Sequence, residues 1–139
     1  LWHQACHMVD FIYWLFDEPD IEAWAQAGPT HPGLGIPMDI TIGMRSKTGC
    51  LVSSANSFNN HGSITSNYRF IGEEATFLIE KGKLIDHDGN EVSVGAGGLE
   101  VQDREFLDAI KNGRTPMTSC KTCLPTMAIL DRLQGIIGD

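Results

Sequence analysis

The sequence predicts an α+β domain, a mainly antiparallel open sheet of five or six strands with helices layered on one face. Three observations lead there. The chain opens on an apolar run of helical character, residues 1–16. Successive segments of period two follow, linked by connections too short for parallel crossovers. Helical periodicity then returns from Leu99 to the end. A helix, a run of strands and two further helices is the order of a sheet covered on one face.

In the opening run, Ala5, Val9, Ile12 and Phe16 recur at helical spacing, and Met8 and Leu15 widen that face. Phe11 and Trp14 cover much of the remainder, which predicts a helix buried between two layers. Pro19 cannot continue it. Residues 21–27 alternate as a strand, and the Gly- and Pro-dense residues 28–35 form a loop whose ionisable side chain is His31. In residues 36–45, Ile36, Met38, Ile40, Ile42 and Met44 alternate with more polar residues, so one sheet face is buried. Residues 46–49 close a hairpin onto 50–58, where small and hydroxylic side chains leave space above the sheet for another body. Residues 64–71, 75–80, 83–86 and 91–94 complete the strands, with Asp88-Gly89-Asn90 favouring a tight hairpin. Gly95-Ala96-Gly97-Gly98 lacks the spacing of a phosphate loop and serves as a flexible exit. The next helix turns Leu99, Phe106, Leu107 and Ile110 inward and stops at Gly113, with Pro116 beyond. Thr122 or Ser119 caps a last helix holding Met127, Leu130, Leu133 and Ile137.

With 139 residues the chain suits one domain, residues 1–139, around a single core. A formal charge of −8 argues against nucleic acid or an anionic membrane as partner. No run approaches the roughly 18 apolar residues of a membrane-spanning helix. The four cysteines show no disulfide rhythm, and a reduced, cytoplasmic setting is expected. Cys120-Lys121-Thr122-Cys123 is a lone pair with no matching partner pair. The abrupt start inside a helix, on Leu1-Trp2, suggests a fragment of a longer polypeptide.

His3, His7, Asp10 and Trp14 follow i, i+4, i+7, i+11 and share one helix face. Two imidazoles a turn apart, with a carboxylate beyond them, can act on one small molecule. The alternative is a pair of core histidines bonded to backbone, plus a surface Asp. No metal is expected, because Gln4 stands where a His-Glu-x-x-His motif needs its Glu and no third ligand is apparent. His31 is either a substrate contact or a solvated loop histidine.

Several stretches together carry a resemblance. They are His7-Met8-Val9-Asp10, the Phe70-Ile71-Gly72-Glu73-Glu74-Ala75-Thr76 corner, and Gln102-Asp103-Arg104-Glu105-Phe106-Leu107-Asp108-Ala109-Ile110 with Gly113-Arg114-Thr115-Pro116. In order and spacing they resemble the C-terminal domain of the glucose-fructose oxidoreductase/inositol dehydrogenase/rhizopine-catabolism (Gfo/Idh/MocA) family. The resemblance implies a preceding Rossmann domain that binds NADP or NAD and carries a catalytic Lys, both absent from this sequence.

The family's helix opens with Asp-x-x-x-His-x-x-Asp. By position His7 matches its proton-transfer histidine and Asp10 the later Asp, while His3 replaces the earlier Asp. That replacement departs from sugar and polyol dehydrogenases. Leu1-Trp2-His3-Gln4-Ala5-Cys6-His7 looks closer to the branch containing 4-carboxy-2-hydroxymuconate-6-semialdehyde dehydrogenase, whose carboxylated substrate favours imidazole over a second carboxylate. The resemblance implies hydride transfer from a hemiacetal or secondary alcohol, with His7 or a Lys of the preceding domain as base. An imidazole titrates at roughly 6.5 in isolated side chains, which suits that task. Trp2, His3, His31 and Arg69 are the candidate substrate contacts. A homo-oligomer formed through the open sheet face is implied as well. A non-catalytic assembly or binding module is the reading from another class.

Overall fold

The computed structural model describes residues 1–18, 20–95 and 97–138. Pro19, the expected helix stop, and Ala96, in the expected exit loop, lie outside the described residues. In chain order the elements are α1 (Ala5–Phe16), β1 (Glu22–Ala27), β2 (Asp39–Arg45), β3 (Leu51–Ser57), β4 (Asn67–Ile71), β5 (Thr76–Glu80), β6 (Lys83–Ile85), β7 (Glu91–Val92), α2 (Leu99–Lys111) and α3 (Cys120–Ile137). All strand pairs are antiparallel, so the α+β class holds. The strands form two sheets, ordered β1-β2-β3 and β4-β5-β6-β7. The chain forms two compact units, Leu1–Asn59 with Met117–Asp139, and Asn60–Pro116.

In the first unit α3 packs against β1 and against α1. The helix between layers is therefore α3, not α1. Its stripe of Thr126, Ile129, Leu130 and Leu133 is buried, while Met127, expected inward, is exposed. α1 buries only Ala5, Met8, Val9 and Ile12. Trp14 is 68% exposed, which corrects the expectation of burial on all sides. Apolar composition all round does not decide packing; the neighbours available do. α1 ends at Asp17, whose N–H still donates to the Tyr13 carbonyl at 2.9 Å and whose left-handed backbone (φ 49°) then turns the chain out of the helix. Ser119 caps α3, accepting from the Thr122 N–H, while the Thr122 hydroxyl accepts from the Ser119 N–H.

β2 keeps the expected alternation from Ile40 to Met44, with Ile40, Ile42 and Met44 in the core, whereas Ile36, expected on the same face, precedes the strand and is exposed. They share the inner face with Ala23, Ala25 and Ala27 of β1, their register partners. The opposite face carries Trp24, Thr41, Gly43, Leu51, Ser53, Ala55 and Ser57, as the strand register dictates. Trp24 is 54% and Leu51 76% exposed there. Trp24 lies across Gly43, its partner in the pair; a Cβ at Gly43 would come within 2.1 Å of the indole.

The second unit is a meander of short strands followed by α2. Lys81 and Gly82 both take positive φ, 51° and 76°, and make a two-residue hairpin turn between β5 and β6. The inward face expected of α2 is instead exposed: Leu99, Phe106, Leu107 and Ile110 all lie open, and Ala109 is the helix's buried residue. Strands of two to five residues offer too little surface to cover a 13-residue helix. At its C-terminal end Arg114 bridges Glu105 and Asp108, which raises the guanidinium's pKa through hydrogen bonds to Asp108 first and Glu105 second.

Between β6 and β7, Asp86 Oδ1 accepts the backbone N–H groups of Asn90 (2.8 Å) and Asp88 (3.0 Å). The Asn90 N–H is the leading reason that the Asp86 carboxyl sits below its ordinary 3.8; partial burial opposes it and is outweighed. With a lowered folded pKa, the turn's stabilisation is complete above the unfolded value and lost as pH falls through the folded one. Hydrogen exchange at the Asn90 amide, corrected for intrinsic rate, should therefore show protection that falls only on acidification below 3.8. In Asp86→Asn the protection should be weaker at neutral pH and flat across that window. Matching profiles in the two proteins would refute this role.

Candidate active site on the first helix

α1 turns its buried face to α3 and thereby presents His7 to the outside. On the helical wheel His7 lies opposite the stripe of Ala5, Met8, Val9 and Ile12, and it is exposed. Among the described residues no hydrogen bond engages its ring. His3 is also exposed, in the turn that leads into the helix, where the Ala5 N–H donates to the Leu1 carbonyl at 3.1 Å. Neither imidazole is a core histidine. The two rings differ in freedom: His3 packs edge-on against Phe58, just beyond β3, with ring centroids 6.0 Å apart.

Asp10 is tied to the neighbouring helix. Its Oδ1 accepts the hydroxyl of Thr126 on α3 at 2.6 Å. Trp2, expected to touch substrate, donates its indole N–H to Gln134 Oε1 at 3.1 Å while staying 47% exposed. These bonds join positions 116 and 132 residues apart and run α1 antiparallel to α3. Thr126, Gln134 and Phe58 are the site residues that sequence reading missed. A hydroxyl at a core position of an apolar helix stripe is the one local signal that points to Thr126.

His31 holds its own loop. Its Nδ1 accepts the Gly33 N–H at 3.1 Å, and its carbonyl accepts from Leu34 and Gly35. The ring is half-buried. Arg69 is exposed on β4, in the second unit, with no ion pair among the described residues. Cys120 and Cys123 open α3 as free thiols. Among the described residues no group of three or more His, Cys, Asp or Glu is placed to hold a metal, and no helix is long and apolar enough to cross a membrane.

A dinucleotide's phosphates are usually cradled by a strand–turn–helix unit of a parallel sheet. Every strand pair here is antiparallel, so the described residues do not fit that part of the cofactor. What the chain offers to chemistry is the pair of exposed imidazoles on and before α1.

Residues 1–97 match the family described as bacterial oxidoreductases, C-terminal. The chain is 37% identical, over 96% of its length, to 4-carboxy-2-hydroxymuconate-6-semialdehyde dehydrogenase of Sphingobium sp. (strain NBRC 103272 / SYK-6), and spans 44% of that protein. Its fold is similar to UDP-N-acetylglucosamine 3-dehydrogenase GnnA from Acidithiobacillus ferrooxidans (TM-score 0.79, 14% identity, 95% of this chain and 46% of that one). It is similar also to the WlbA dehydrogenase from Bordetella pertussis, solved with NADH and UDP-GlcNAcA (TM-score 0.72, 16% identity, 96% and 41%). The chain thus spans less than half the length of these relatives. Sequence match, fold and the order of the elements agree: this chain belongs to the C-terminal domain family of the bacterial oxidoreductases, of the Gfo/Idh/MocA type.

Proposed function

We propose that this chain is the substrate-side part of an NAD(P)-dependent dehydrogenase that oxidises a hemiacetal or secondary alcohol bearing a carboxylate. The cyclic hemiacetal of 4-carboxy-2-hydroxymuconate semialdehyde is the substrate we favour. The observation that carries this reading is the exposed ring of His7 on the outward side of α1, with no hydrogen bond among the described residues and with His3 exposed in the turn before the helix. The nicotinamide, held by the rest of the polypeptide, supplies the hydride acceptor. As hydride leaves carbon, the hydroxyl must lose its proton, and a ring nitrogen of His7 is free to take it. His3, braced by Phe58, offers an N–H to a substrate carboxylate. Free cysteines suit a cytoplasmic setting.

Charge at His3 is the test of substrate class. In the full-length protein, His3→Asp should raise KM for the carboxylated hemiacetal by about tenfold or more through like-charge repulsion, and leave neutral sugars or polyols unpenalised. Wild-type enzyme that prefers a neutral polyol over the carboxylated hemiacetal would instead assign the protein to the sugar and polyol dehydrogenases.

The same chain supplies the proposed assembly surface. The outward face of the β1–β2–β3 sheet is small-residue-rich and carries Trp24 and Leu51 largely exposed, a composition suited to packing on a second copy.

A further inference from the structure

We infer that Thr126 is a positioning residue: through Asp10, its hydroxyl fixes the rotation of α1 and so the direction in which His7 points. The inference rests on the proton-handling role of His7 proposed above.

Thr126 is 2% exposed and sits in the buried stripe of α3 beside Ile129 and Leu130. Val would fill the same volume, so packing alone does not ask for a hydroxyl there. A buried hydroxyl needs a partner, and in a helix it commonly turns back to the carbonyl four residues earlier. Here it donates across to Asp10 Oδ1 at 2.6 Å, a short bond to a charged acceptor. Asp10 stands three residues after His7 on α1.

α1 buries Ala5, Met8, Val9 and Ile12, apolar groups whose attraction has no direction. They hold α1 down without setting its angle. A hydrogen bond does set an angle. The lever is short but sufficient: side-chain tips lie about 5–6 Å from a helix axis, so a turn of about 10° moves them about 1 Å. A shift of that size at a reacting group can cost about a hundredfold in rate. The Trp2–Gln134 bond ties down the lead-in turn that carries His3; Asp10–Thr126 ties the helix that carries His7.

The test is a double-mutant cycle in the full-length protein, with kcat normalised to folded material. Thr126→Val should lower kcat about tenfold or more with cofactor KM unchanged. Thr126→Ser, which keeps the hydroxyl, should restore kcat to within about twofold. In a His7→Asn background, Thr126→Val should change kcat by less than about twofold, because the group it positions is gone. Should Thr126→Val fold poorly, Asp10→Ala removes the same bond from the exposed side and should show the same loss and the same dependence on His7. Normal kcat in Thr126→Val, or an equal loss in both backgrounds, overturns the positioning role alone. A His7→Asn enzyme with normal kcat overturns this inference together with the proposed role of His7.

Discussion

In the full-length protein, replacing His7 with Asn should lower kcat about a hundredfold or more and leave cofactor affinity nearly unchanged. Asn keeps a polar side chain of similar reach, yet it cannot accept a proton near neutral pH. The ring it replaces is exposed and makes no hydrogen bond among the described residues, so the folded state should lose little. Loss confined to kcat is the mark of an interaction made in the transition state. A structural histidine would behave otherwise, with a lower melting temperature and ordinary turnover per folded molecule. Turnover in His7→Asn close to wild type would transfer the proton-handling role to a residue outside this chain.

Leu51→Glu should weaken self-association of the full-length protein by about a hundredfold or more in Kd, the scale of a hot-spot residue in an interface. Leu51 is 76% exposed on the outward sheet face, with Arg45 its register partner and Glu22 beyond it on β1. The substitution touches no core contact, so helicity and melting of the monomer should be preserved. It sets a carboxylate across from Arg45, and burying that charge and its partner on association costs more than burying leucine does. Sedimentation equilibrium over a wide concentration range measures the shift. A wild-type protein that stays monomeric at high concentration, or a Leu51→Glu oligomer of unchanged Kd, would remove this face from the assembly.

How much was legible in the sequence depended on how local the deciding contacts are. The alternation of Ile40, Ile42 and Met44 is a property of the strand itself, and the structure buries those three side chains. The helical stretches are equally local, and their residue ranges were close. Faces were harder. Leu99, Phe106, Leu107 and Ile110 have the spacing of an inward stripe, but burial needs a neighbour, and among the described residues all four lie exposed. The same limit put α1 between layers when α3 takes that place. The split of the strands into two sheets turns on pairing across residues 58–66, where composition gives no directive. At the site, helical spacing predicts His3 and His7 on one face; both are exposed, but His3 lies in the turn before α1 and packs on Phe58. The bond from Thr126 to Asp10 was beyond reach, since no periodicity links residues 116 positions apart.

The indole of Trp24 occupies the space that a side chain at position 43 would need. These two positions are therefore one unit of inheritance. A chain that gained a larger residue at 43 while keeping Trp24 would have to swing the indole off the sheet, raising a bulky ring into whatever is stacked above. A chain that lost the indole while keeping Gly43 would open a furrow in the middle strand, baring backbone that the ring now shields. Drift at either site is held back by the other, and a homologue that departs from Gly43 is expected to carry a smaller partner at 24. Any body laid on this sheet face would meet the indole, not the backbone at Gly43.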